Sequence, residues 1–255
     1  MQTWTAAPSF AFPIVVCLLV WSGSTEPVFS QEANAEKPRQ TLVQLSAKDP
    51  IWVDMKRKMV VLDGEIVLRE GALEVFACMR GTKEHESIIA VPTPSHIVHA
   101  ALLAVGAKPG TVVSWDPEYQ PATGPTIDVL VQWKDEAGKL QICRGKDWVR
   151  DNRSQQGMKY DWIFPGSYFW VDERDGKQIY AADGGELICV SNFRSAMMDV
   201  PVQSSDDNTN LYFEAFTERI PPEGTKVRLF LIPQRESMEK DAEKSAQDPD
   251  EGDPS

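Results

Sequence analysis

The chain of 255 residues contains three histidines, His85, His96 and His99, all inside the stretch KEHESIIAVPTPSHIVHAALLAVGAKPG that begins at Lys83. Imidazoles flanked by Glu84 and Glu86 have the right chemistry for a metal centre or for general acid–base catalysis. If a helix begins near Ser95, His96 and His99 stand three apart in its first two turns and share a face. The partial positive charge of a helix N-terminus disfavours imidazolium and would keep both rings neutral, the ligand-competent form. Strand alternation would put Lys83, His85 and Ser87 on one face and Glu84 and Glu86 on the other. A strand running back beside the helix would bring His85 to the pair and complete a three-histidine set for a divalent metal. The string H-E-x-x-H is absent, and an apolar helix more commonly holds a histidine such as His99 as a hydrogen-bonded packing residue.

Other chemistry is thinner. Ser87 and Ser95 have histidines nearby, but neither lies in a G-x-S-x-G elbow, so a serine hydrolase lacks its oxyanion hole and orienting acid. DDNTNLYFEAFTE places Asp206, Asn208, Asn210 and Glu214 at calcium-loop spacing. Thr217 then stands where a bidentate Glu belongs and Leu211 where a turn glycine belongs, so a solvated loop is expected. DWIFPGSYFW, from Asp161, carries five aromatic residues, more than one strand face can bury, so something aromatic is expected at a surface. Of the four cysteines, Cys78, Cys143 and Cys189 lie beyond the apolar leader. Three thiols permit one disulfide. The sequence does not choose among the three pairings; Cys78 and Cys189, both in strand-like runs, are the candidate pair, and small buried hydrophobes are an equal reading.

Positioning these residues is the task of the surrounding elements. FAFPIVVCLLVW, Phe10–Trp21, is too short to span a membrane and suits the core of a secretory signal. Residues 1–30 are read as that signal, with cleavage near Ser30 or Ala35, and 31–44 as a flexible leader. No transmembrane segment would remain after its removal. The formal charge of −12, without a basic patch, sets nucleic acid aside. From Leu45 to about Pro233, turn signals separate strand-like runs. KMVVL-DG-EIVL, with Asp63-Gly64 between two apolar runs, reads as a hairpin. VLVQW-KDEAG-KLQIC and SYFWV-DERDG-KQIYA repeat the pattern, and YAA-DGG-ELICV follows. The fold class expected is α+β: eight or more strands, mostly antiparallel hairpins, around one principal buried helix at about Ser95–Val105. Thr93 or Ser95 would cap that helix, and Gly106 would end it. KDWVRD and FRSAMMD would each add a short helical turn. Residues 235–255, rich in acids, are expected to be disordered.

LREGALEVFACMRGTKEHESIIAV, VHAALLAVGAKPG, YDWIFPGSYF and TERIPPEGTKVRLFLIP together resemble the YdjY-type domain, a family of exported bacterial proteins common in planctomycetes. The resemblance spans about Asp54 to Pro233. It implies export and a single domain but no assigned activity. If the family has a site, it implies Lys83, Glu84, His85, Glu86, Ser87 and His99, while His96 falls outside the shared motifs. The leading expectation is an exported, non-catalytic binding or envelope-associated module with a polar site at the KEHES strand and the helix N-terminus, and without a cofactor. One alternative is a metal-dependent hydrolytic enzyme with His85 and His99, and in the fuller set His96, on a divalent metal. Another is a self-associating structural protein.

Overall fold

The run KVRLFLIP (Lys226–Pro233) alternates along its whole length, with Val227, Leu229 and Leu231 buried and the residues between them turned outward. A period of two is the mark of a strand with one face on a core. In the computed structural model, which describes residues 42–204 and 212–234, this run is β15, the last of fifteen strands. The others are β1 (Leu42–Gln44), β2 (Ile51–Asp54), β3 (Met59–Ile66), β4 (Val75–Met79) and β5 (Ser87–Val91). Next come β6 (Thr126–Lys134), β7 (Leu140–Arg144), β8 (Val149–Asp151), β9 (Gln156–Gly157) and β10 (Trp162–Ile163). The chain continues through β11 (Phe169–Val171), β12 (Gln178–Tyr180), β13 (Ile188–Cys189) and β14 (Phe213–Ala215). One helix, α1 (Ser95–Ala104), and short 3-10 turns at Glu84–Glu86, Gly145–Trp148 and Ala181–Gly184 complete the described elements.

Ten strands form one sheet ordered β10-β6-β15-β3-β5-β4-β13, with β7 sharing the outer edge of β6 and β2, followed by β1, sharing an edge of β3. Every pairing in it is antiparallel except β4 with β5. That parallel step is made by residues 80–86, shorter than the dozen or so such crossovers usually take. A three-stranded sheet, β14-β8-β9, and the two-stranded arm β11-β12 stand apart from the main one. Ile51, Leu62, Val131, Leu229 and Leu231 face the main core, joined there by Val98, Ala101 and Leu102 of α1 and by Trp148. On the opposite face, Val75, Cys78, Ala90, Cys189 and Ala196 form a second, small cluster with Phe193. The architecture is α+β, mostly β and mostly antiparallel.

Several expectations need correction. Asp63-Gly64 is not a turn but the middle of β3. A Cβ on Gly64 would lie 2.9 Å from Ile89 Cγ2, so glycine serves the close approach of β5 instead of a chain reversal. The hairpins around Gly138 and Gly176 form as expected, each glycine at positive φ. After β12 the chain does not fold back as another hairpin, because β13 pairs with β4. Gly145–Trp148 supplies the turn expected in KDWVRD, whereas FRSAMMD stays non-helical. The helix is not buried all round: His96 and Ala100 are exposed, and Leu103 is 45% exposed. Neither Thr93 nor Ser95 caps it, and both hydroxyls are buried without a hydrogen-bond partner. Leu42–Gln44, expected within a flexible leader, pairs with β2 as β1. Cys78, Cys143 and Cys189 are free thiols. Cys189 lies opposite Val75, three residues from Cys78, or about 10 Å along the strand, beyond disulfide reach. The secretory signal with its cleavage positions Ser30 and Ala35, the acidic tail, and Asp206, Asn208 and Asn210 fall outside the described residues.

Candidate functional site

Glu84–Glu86 is a 3-10 turn, not a strand, so the alternation assumed for KEHES does not apply. His85 stands at the crest of this turn with its side chain 77% exposed and Glu86 3.8 Å away. Glu84 accepts from the Gly81 backbone N–H at 3.0 Å. Ser87 is fully buried and donates to the Ile89 carbonyl at 3.0 Å. Lys83 turns inward, its Nζ 2.8 Å from Glu86, 3.1 Å from Glu74 and 3.6 Å from Glu186, and 4.5 Å from the centre of the Phe193 ring. Burial opposes its charge, but the hydrogen bonds to Glu86 and Glu74 outweigh that cost and hold the ammonium above its usual pKa. Glu74 is pushed up by burial and by the neighbouring Glu86, against the pull of Lys83. Three carboxylates around one ammonium make a structural clamp. A lysine so neutralised is no nucleophile, because its lone pair is committed to a proton.

The helix end of the expected site is organised by residues that the sequence reading did not single out. Asp183, in the 3-10 turn after β12, accepts from the backbone N–H of His96 at 3.1 Å, and its other oxygen lies 2.7 Å from His96 Nδ1. A carboxylate brought in from 87 residues away thus caps α1 where a local hydroxyl was expected. His99 points toward β12. The Tyr180 hydroxyl donates to the Gly166 carbonyl at 2.8 Å, so at the 2.7 Å contact His99 Nδ1 must be the donor, which leaves Nε2 unprotonated. Burial lowers the His99 pKa, with a smaller opposing pull from Gly166. The ring stands edge-on to Phe164 and Tyr180, with centroids 5.0 and 5.5 Å away. Burial and the nearby Asp183 push the Tyr180 phenol up, so it stays protonated.

Segment 180–186 therefore joins the two halves of the expected site: Tyr180 meets His99, Asp183 meets His96, and Glu186 meets Lys83. A Cβ on Gly185, which has φ +128°, would lie 2.7 Å from Thr82 Oγ1, so this segment runs hard against the turn that carries Lys83. The three histidines do not converge. Each has its own partner, and among the described residues no three His, Cys, Asp or Glu side chains are grouped to hold a metal ion. Glu214 is likewise committed, 3.0 Å from Arg150 in the β14–β8 pair, and Glu218 lies 2.6 Å from the same guanidinium.

Two further features lie outside the expected polar site. Tyr168, Phe169, Trp170 and Val171, consecutive in the chain, are 46, 55, 43 and 57% exposed. They form the first strand of the β11-β12 arm and its approach. The arm is rooted by Tyr180, whose ring packs against Phe169 at 4.9 Å and whose hydroxyl ties down Gly166. The expectation of surface aromatics in DWIFPGSYFW holds at its C-terminal end, whereas Trp162 is buried with its indole N–H donating to the Cys189 carbonyl at 2.8 Å. The second feature is Asp199, fully buried. One carboxylate oxygen accepts from Asn192 Nδ2 at 3.1 Å and the Val200 N–H at 2.7 Å, and the other has no partner. Burial lifts its pKa to about 7 against these two hydrogen bonds. A cleft of about 1220 Å³ lies elsewhere, beside Trp133, Lys134, Arg219, Pro222 and Lys226. It contains none of the histidines and no buried unpartnered group.

No helix among the described residues is long and apolar enough to cross a membrane. Searches of curated proteins and of solved structures found no match. The profile of the YdjY domain matches residues 51–232, which run from the first residue of β2 to the next-to-last of β15 and include the Lys83 clamp, α1 and the aromatic arm. With that match covering most of its length, the chain belongs to the YdjY domain family.

Proposed function

We propose that the protein is an exported, non-catalytic binding module of the cell envelope that holds a protein partner through the β11-β12 arm and the adjoining surface of segment 180–186 and α1. The carrying observation is the exposure of Tyr168, Phe169, Trp170 and Val171 on both faces of one short hairpin. Aromatic side chains supply large contact area at low entropic cost and dominate interface hot spots. Isolated exposed hydrophobes need no explanation, but four consecutive ones on a rooted arm do. Export rests on the apolar run Phe10–Trp21. The turn of the arm, Asp172–Lys177, carries five charged residues, with Asp172–Arg174 and Asp175–Lys177 ion pairs, so a bilayer is a poor partner. The net charge of −12 argues equally against nucleic acid. Glu86 and Lys83 act here as the clamp that fixes the platform, while His96 and exposed His85 are polar rim. For a hydrolytic metal enzyme the histidines present no shared donor set.

Photo-crosslinking from position 170, with a benzophenone side chain replacing Trp170, tests this in cells that make the protein. A discrete protein adduct that disappears with Tyr168→Ser plus Phe169→Ser, and persists with His85→Ala, is the expected result. No adduct from position 170, or one indifferent to the two serines, would overturn the reading.

A further inference from the structure

Strip 195–199 stitches the arm to the body of the protein. Ile163 and Asp199 exchange both backbone hydrogen bonds, at 2.9 and 3.1 Å. Further along, the Gly166 N–H donates to the Met197 carbonyl at 3.1 Å, and Ser167 Oγ donates to the Ser195 carbonyl at 2.7 Å. The strip also holds β13, the Cys189 N–H donating to the Met198 carbonyl and the Met198 N–H to the Leu187 carbonyl. Gly166 is thus gripped twice, by Met197 through its N–H and by Tyr180 through its carbonyl. The exposed run Tyr168–Val171 begins two residues later.

Asp199 ends this strip. Its carboxyl is fully buried with Oδ2 unpartnered, and its other oxygen is held only by the neutral donors Asn192 Nδ2 and the Val200 N–H. The titratable groups that face it are Cys189, from β13, and Tyr119, from the loop between α1 and β6, whose hydroxyl lies 3.4 Å from Asn192 Oδ1. Burial, with the Asp199 charge adding to it, pushes both up, so both stay neutral and neither offsets an anion. Lys83, Glu74 and Glu186 act on Cys189 from beyond it and are occupied with one another. No ammonium or guanidinium among the described residues bears on the Asp199 carboxyl. A carboxylate buried without a cation is costly, and its cheapest relief is to reach water by opening the segment that carries it.

We infer that Asp199 is a proton-operated clasp on the root of the aromatic arm: while its carboxyl is neutral, strip 195–199 holds Gly166 and Ser167, and when it ionises the strip lets go. The inference rests on the proposed binding role of the arm for its consequence, which is that a partner finds a preorganised platform in acid and a loosened one as pH rises. The direction follows from linkage. The carboxyl titrates at about 7 in the closed strip and at the ordinary 3.8 once open, so opening releases a proton. Opening is favoured about tenfold per pH unit well below pH 7 and levels off above it, a rise of about tenfold between pH 6 and pH 8.

Hydrogen exchange of the purified full chain at pH 6, 7, 8 and 9, corrected for the chemical rate, reads the clasp without any partner. The Ile163, Gly166 and Asp199 amides should open about tenfold more at pH 8 than at pH 6, and the rise should vanish in Asp199→Asn. Should that variant not fold, the wild-type profile decides alone, since its rise must level off between pH 8 and pH 9. Burial holds the His99 pKa down, so the Tyr180 side of the grip stays neutral. No rise at these amides, a rise equal in Asp199→Asn, or amides that exchange no faster than those of β15 overturns the inference. Photo-crosslinking from position 170 at pH 6 and pH 8 then separates the two readings. An adduct that weakens at pH 8 in the wild type but not in Asp199→Asn supports both, and one indifferent to pH in the wild type overturns the gating. A titrating clasp with no adduct at either pH leaves the clasp standing and refutes the partner.

Discussion

Asp199 offers the sharpest test of the physical account. Its carboxyl is fully buried, has one oxygen without a partner, and titrates at about 7 in the folded chain against 3.8 for an ordinary aspartate. The folded state thus prefers the protonated acid. Its favourable contribution is complete below pH 3.8 and is lost as pH rises through about 7. A shift of about three units corresponds to a loss on the order of 4 kcal/mol by pH 8, a large part of the 5–15 kcal/mol typical of a domain. Asp199→Asn keeps the shape and the acceptor for Asn192 and Val200 but cannot ionise. Urea unfolding of both proteins at pH 5, 6, 7 and 8 isolates this group, because other titrations cancel in the difference. The variant should gain on the wild type by on the order of 3 kcal/mol between pH 5 and pH 8. Parallel stability curves for the two proteins would mean that Asp199 is ionised and solvated in the folded chain, and the argument from burial would be wrong.

Gly64→Ala should destabilise the fold by about 1–3 kcal/mol in denaturant titrations, since its Cβ would meet Ile89 and the Ala90 carbonyl. Lys83→Met should cost about 2 kcal/mol at neutral pH and less near pH 4, where Glu74, its pKa pushed up by burial, takes up a proton; thermal melts at both values read the difference. His85→Ala, at an exposed crest, should change stability by less than about 0.5 kcal/mol in the same melts. Tyr180→Phe removes the hydroxyl shared by His99 and Gly166, and should cost about 1–3 kcal/mol and speed amide exchange in residues 166–171.

Much of the fold was legible because its signals are local. The Gly138 and Gly176 hairpins announced themselves through a positive-φ glycine between alternating runs. The helix was legible from its Ala- and Leu-rich run, and the alternation of KVRLFLIP marked the strand that became the centre of the sheet. The signal failed where a residue serves a distant neighbour. Gly64 looks like turn chemistry in sequence and is spacing for β5 in space. The cap of α1 comes from Asp183 and not from Thr93 or Ser95, and a contact across 87 residues leaves no periodic trace near either end.

The candidate site divides the same way. Residue types alone marked Lys83, Glu86 and His99 as polar groups in need of partners, and marked DWIFPGSYFW as too aromatic to bury. Which partners they obtain was decided by tertiary structure. Segment 180–186 threads between the turn at Glu84–Glu86 and the start of α1, converting suspected ligands and bases into a clamp and a cap. Side-chain chemistry and short-range backbone preference are written residue by residue, so the sequence by itself determined the strands, the helix and the demand for burial. Strand register and the meeting of distant segments, such as Asp183 with the start of α1, depend on long-range packing, which balances many weak contacts at once, and only the folded chain resolved them.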